Sequence, residues 1–236
     1  MNDMNYFLDL EFHEYQKSVK IFGLFTIAKI WTIDLISIGI VCEDGREYYA
    51  INQDFNVKDA QKDKWLNDNV LSQLPPRNIY PRIWESPNLF YKSLAWKKLS
   101  WIRQEIADFM RLRYDPDMGH LYVPDTEDVK IYGYYSDYDW VRFCWIFGRM
   151  IDLPHGLPMY CVDLKQMLDE RVERLPLTLN DIENTNHPLT RDATFDEKIN
   201  WVKRIENGYP QQEDEHNALF DAKWNLELFK FIKSYL

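Results

Sequence analysis

Short apolar, strand-like runs mark residues 5–12 and 32–51, and longer helical periods follow. Residues 5–12 (Asn5-Tyr6-Phe7-Leu8-Asp9-Leu10-Glu11-Phe12) are apolar and aromatic, the composition of a strand. Residues 32–42 alternate around β-branched positions and run into Asp44-Gly45, a hairpin turn signal, with residues 46–51 as the returning strand. The expected result is a three-stranded antiparallel meander. Residues 13–31 are too many for a hairpin loop, and their apolar content predicts that they pack on something, a partner subunit being one candidate.

Further along, Leu94, Leu99, Ile102, Ile106, Phe109 and Met110 recur at mostly three- or four-residue spacing and predict a helix over residues 90–112. A strand at 129–135 leads into a helix at 137–147, closed by Gly148. Helices are also expected at 163–174 and 217–235, the latter with Ala218, Ala222, Leu226 and Phe229 on one face. Residues 54–88 are polar and carry Pro75, Pro76, Pro81 and Pro87, which predicts helical pieces and loop. Residues 114–128 are rich in turn signals. The natural assembly is α/β, a mixed sheet flanked by helices.

Composition narrows the class. With 236 residues and 46% hydrophobic content the chain can bury a large core, as one domain of slightly more than usual size. No stretch approaches the roughly 18–20 apolar residues that cross a bilayer. The first residues are acidic and amide-bearing where a secretory signal is basic. Cys42, Cys144 and Cys161 cannot all pair and lack metal-ligand spacing, so reduced thiols and a cytoplasmic setting are expected. A net charge of −10 argues against tight binding of long duplex by its phosphates. An enzyme that holds only a strand end is compatible with it.

Five residues carry the chemistry. On a strand, Asp9 and Glu11 project from one face about 7 Å apart. Such a pair is a solvated surface, or it is held by a cation, for which a divalent metal suits hard carboxylate oxygens. Asp139 opens the 137–147 helix. It lies three residues after Ser136, where it could close a capping box, and Asp137 is a second acid in the same turn. His216 precedes Asp221 by five residues. Five residues of helix rotate by about 500°, so both reach one site only if His216 sits at or before the helix start. Glu213, Asp214 and Glu215 suit an exposed helix entrance. His13 and His155 have no assigned role. Phe12 follows the acidic strand and could stack on a base, and Tyr132, Tyr134, Tyr135 and Trp140 are equally suited to packing.

These residues fall in stretches that resemble the three motifs of the DEDDh 3′→5′ exonuclease superfamily: Asp9-Leu10-Glu11, then Tyr138-Asp139-Trp140-Val141-Arg142-Phe143, then His216-Asn217-Ala218-Leu219-Phe220-Asp221-Ala222. Residues 33–49, and Asp152-Leu153-Pro154-His155-Gly156-Leu157-Pro158-Met159 with Asp163-Leu164-Lys165-Gln166, are similar to the small bacterial and phage exoribonuclease branch related to ribonuclease T. The likeness covers residues 1–55 and 130–236 well and the middle loosely.

The resemblance implies a ribonuclease H-like fold, with one exonuclease domain over residues 1–236 interrupted by insertions at about 13–31 and 55–130. It implies two divalent ions, Mg²⁺ or Mn²⁺, held by Asp9, Glu11, Asp139 and Asp221, with His216 as general base. His216 is then expected to be mobile until substrate orders it. The implied partner is an RNA 3′ end, single-stranded or overhanging, with release of nucleoside 5′-monophosphates; DNA is the alternative substrate. A homodimer is implied too, with no membrane. A non-catalytic nucleic-acid-binding module is the rival of another class.

Overall fold

A computed structural model describes residues 2–22, 24–77, 94–117, 119–124, 127–174, 193–204 and 208–234. β1 (Asn2–Ile21), β2 (Phe25–Cys42) and β3 (Glu47–Asn52) form the expected antiparallel meander. Two short helices, α1 (Val57–Ala60) and α2 (Lys64–Asn69), and a 3₁₀ turn (Leu71–Gln73) follow. β4 (Trp96–Lys97) then joins β3 in parallel. The helix expected over 90–112 is α3 (Leu99–Phe109). It is shorter because residues 96–97 extend the sheet, and residues 90–93 lie outside the described residues.

β5 (Arg113–Asp115) and β6 (His120–Tyr122), largely within the turn-rich residues 114–128, pair as a small two-stranded ribbon. β7 (Glu127–Gly133) and β8 (Val162–Asp163) complete the main sheet in parallel with β1. Its order is β4-β3-β2-β1-β7-β8. The remaining helices are α4 (Asp137–Phe147), α5 (Leu164–Glu173), α6 (Phe195–Val202) and α7 (Ala218–Ser234). None of the helices among the described residues is long and apolar enough to cross a membrane. Cys42, Cys144 and Cys161 are free thiols.

Alternation along β1 divides the core. Tyr6, Leu8 and Leu10 pack with Ile102 and Ile106 of α3 and with Phe143 and Phe147 of α4. Phe7 faces the other way, toward Leu164 and Leu168 of α5 and Leu228 and Ile232 of α7. Helices thus cover both faces of a mixed sheet, consistent with a ribonuclease H-like fold. Asp9 and Glu11 share the face of Phe7, because strand side chains repeat every second residue.

Residues 13–31 extend the first two strands, and within the single chain most of them are exposed, which leaves a partner as what they would pack on. β1 and β2 simply continue as a two-stranded ribbon, pairing from His13↔Asp34 to Ile21↔Phe25. β7 leaves β1 after Phe7, and β3 leaves β2 at Ser37, so among the described residues no third strand supports it. The apolar content that suggested packing is exposed instead: Phe22 is 91% accessible, Leu24 77% and Trp31 72%.

Candidate active site

The acids meet where β1 loses its neighbour. Beyond Phe7 the chain of β7 turns away into α4, and the amide of Leu10 donates to Asp139 Oδ1 at 2.8 Å. That bond answers the question left by the sequence. Asp139 closes no capping box with Ser136, whose side chain makes no cap bond. Its carboxylate reaches across to the edge of β1, and Asp139 is buried. Asp137 in the same turn is exposed. The start of α4 is held by Asp163, which accepts from the Ser136 amide (3.0 Å) and from the Gln166 amide at the head of α5 (2.9 Å). Asp163-Leu164-Lys165-Gln166 has the spacing of a helix start, and that was the available signal for this role.

α7 reaches the site through a glycine. Gly39 on β2 pairs with Asp9, and a Cβ there would fall 2.1 Å from the Ala218 carbonyl oxygen. Only a residue without a side chain lets the first turn of α7 lie on the sheet at that point. Asn225 Nδ2 donates to the Leu8 carbonyl at 3.0 Å and fixes the helix further along. Asp221, one turn into α7, is thereby brought over Asp9 and Glu11. One carboxylate oxygen of Asp9, one of Glu11 and one of Asp221 lie within 4.8 Å of one another. Asp139 is outside that group but near enough for its charge to raise Asp9 and Glu11.

His216 lies just ahead of α7, as the rotation argument required. Its backbone is in the left-handed region (φ 68°), an uncommon conformation for a residue with a side chain. Its amide donates to Asp221 Oδ2 at 2.9 Å, and Gln212 Nε2 donates to Asp221 Oδ1 at 2.6 Å. The imidazole sits edge-on to Trp65 of α2, centroids 4.8 Å apart, and Gln73 Nε2 donates to the Glu215 carbonyl at 2.6 Å. The expectation of a loosely held histidine thus meets a structure with specific neighbours. Trp65, Gln73 and Gln212 lie outside every motif, and no sequence signal pointed to them.

Electrostatics make the cluster costly as it stands. Burial, then repulsion from Asp139, Glu11 and Asp221, raises Asp9 well above the ordinary carboxylate range. Burial, with Asp221 and Asp139, pushes Glu11 up to about 8. Asp139 is pushed up to about 7 by burial, against the Leu10 hydrogen bond, and Asp221 is raised by burial, against Gln212 and His216. None of the ion pairs among the described residues involves these four acids. Neither Asp9 nor Glu11 takes a side-chain hydrogen bond from a described residue. Converging, hard oxygen donors with no internal counter-charge fit divalent cations such as Mg²⁺ or Mn²⁺.

The other residues singled out lie elsewhere. His13 is buried on the Glu11 face, its ring stacked on Tyr15 at 4.9 Å, and its Nδ1 has no partner among the described residues. The backbone of His155 bridges to β6 through Leu121 and Val123. Phe12 packs on the core and lies 6.1 Å from Tyr138. Tyr132 and Trp140 are core residues, stacked on Phe7 and Phe143, and Tyr134 meets Trp224 edge-on; Tyr135 is exposed.

No family model matches the chain. Two curated proteins do resemble it, both 3′-5′ exoribonucleases of Mycobacterium tuberculosis, from strains CDC 1551 and H37Rv. Each is 27% identical over 232 residues, which span 98% of this chain and 94% of the relative. The likeness runs nearly end to end.

Proposed function

We propose that the protein is a metal-dependent 3′→5′ exoribonuclease. The observation that carries this reading is the convergence of Asp9, Glu11 and Asp221 within 4.8 Å, with Asp139 near enough to repel Asp9 and Glu11 and no Lys or Arg among the described residues paired with the four acids. The names of the two relatives support RNA as the substrate.

In this reading Asp9, Glu11, Asp139 and Asp221 hold two divalent ions. Bound there, the ions would polarise the terminal phosphodiester and make a water acidic enough to attack near neutral pH. His216 takes that water's proton on a ring nitrogen, and the hydrogen bond that its backbone amide donates to Asp221 Oδ2 keeps it beside the acids. The water oxygen bonds to phosphorus, the P–O3′ bond breaks, and the leaving 3′-oxygen takes a proton from solvent, so the shortened strand keeps a 3′-hydroxyl. The product is a nucleoside 5′-monophosphate. Asp163 and Gly39 act indirectly, the first by fixing the start of α4 and the second by admitting α7.

The test is a digest of 5′-labelled RNA and DNA oligonucleotides with Mg²⁺, with Mn²⁺ and with EDTA. A ladder shortening from the 3′ end on RNA, lost in EDTA, is the expected result. A ladder on DNA alone contradicts the substrate, and binding without any ladder contradicts the enzyme.

A further inference from the structure

The ribbon formed by residues 12–35 has an unusual charge for this chain. Residues 15–33 contain Lys17, Lys20 and Lys29 and no acid, in a protein whose net charge is −10. All three lysines are exposed, and none enters an ion pair with a described residue. Beside them lie exposed aromatic rings, Phe22, Phe25 (69% accessible) and Trp31, with Tyr15 half-buried.

The ribbon is also aligned with the acids. Both register shifts between β1 and β2 put the extra residue on β2, at Ile36 and Ile27, so β1 alternates without interruption. Asp9, Glu11, His13, Tyr15 and Lys17 therefore share one face of one strand. The stacking of His13 on Tyr15 agrees with that placement. At about 3.3 Å per residue, Lys17 lies roughly 20 Å from Glu11 and the tip at Ile21 roughly 33 Å.

We infer that this ribbon is a docking arm for the single RNA strand whose 3′ end enters the acid cluster, an inference that rests on the function proposed above. Lysines that meet phosphates, interleaved with rings on which bases stack, are how single strands are held without regard to sequence. The arm supplies the positive charge that the site lacks. The aliphatic residues Ile21, Leu24, Ile27 and Ile30 would equally suit a second copy of the chain. Three lysines with no acid among residues 15–33, Lys17 on the strand face of Asp9 and Glu11 and Lys20 and Lys29 on the opposite face, favour a polyanion that wraps the ribbon and ends at the acids.

The experiment compares wild type with the triple variant Lys17→Gln, Lys20→Gln, Lys29→Gln. Anisotropy of a 5′-fluorescein RNA of about 20 nucleotides is followed against salt, in EDTA so that no cleavage occurs. Removing three phosphate contacts should flatten the slope of log affinity against log salt by about 2, and in Mg²⁺ the KM on the same RNA should rise about tenfold. Circular dichroism checks that the variant folds. An unchanged slope overturns the inference. So does a wild-type dimer that Phe22→Ser, Phe25→Ser splits into monomers with the slope intact, which would make the ribbon an interface between copies. A flattened slope in a protein that cleaves no RNA would leave the arm standing and remove the exoribonuclease reading instead.

Discussion

Up to Glu11, β1 runs under helices, with β2 on one edge and first β7, then Asp139, on the other; beyond Phe12 it pairs, among the described residues, with β2 only. Its inner half carries two acids whose charged forms are disfavoured by burial, and the ribbon that its outer half forms with β2 carries lysines and large apolar side chains in the open. Backbone conformation does not explain the contrast, because both halves are strand. What differs is the company each half keeps. Charge buried in the first half becomes a demand for a cation; apolar surface left uncovered in the second becomes a place to bind.

Substitutions that separate the two halves should differ sharply. Asp9→Ala should lower turnover by about a thousandfold or more, since ions at the proposed site would stabilise the transition state by several kcal/mol. The same change should raise the melting temperature of metal-free protein, because one of four repelling carboxylates is gone; a lower value would show that the acids do not strain the fold. Gly39→Ala comes next. Its Cβ collides with the Ala218 backbone, so α7 must shift, which costs about 1–3 kcal/mol in denaturant unfolding and lowers activity by displacing Asp221. At the exposed end, Phe22→Ser should move stability by no more than about 0.5 kcal/mol. A large loss there would mean that the ribbon tip is covered in solution.

Much of this was readable before any coordinates. The period-two runs located the meander, and the Gly148 stop bounded α4 to the residue. The five-residue step from His216 to Asp221 correctly required the histidine to precede the last helix. What escaped was non-local. The ribbon looked like packed chain because apolar content signals burial without saying what covers it. The Leu10 bond to Asp139 depends on β7 leaving the sheet, a matter of topology that no local pattern encodes. Trp65 and Gln73 reach His216 and its neighbour Glu215 from a segment more than 140 residues away in sequence. Gly39 stood within a quoted stretch, but only the arrival of α7 shows why it lacks a side chain.

The most direct test of a cation-balanced acid cluster is thermal unfolding at pH 5 and pH 8, in EDTA and in Mn²⁺. Unfolded carboxyls titrate near about 4, whereas Glu11 and Asp139 in the fold titrate near about 8 and about 7. Between those limits the folded form binds more protons than the unfolded chain, so stability falls as pH rises. Metal-free protein should therefore melt at a lower temperature at pH 8 than at pH 5. Mn²⁺ should restore it at pH 8 and do much less at pH 5, where protons already neutralise the acids. Melting that ignores Mn²⁺ at both pH values would contradict a metal-holding cluster at Asp9, Glu11, Asp139 and Asp221.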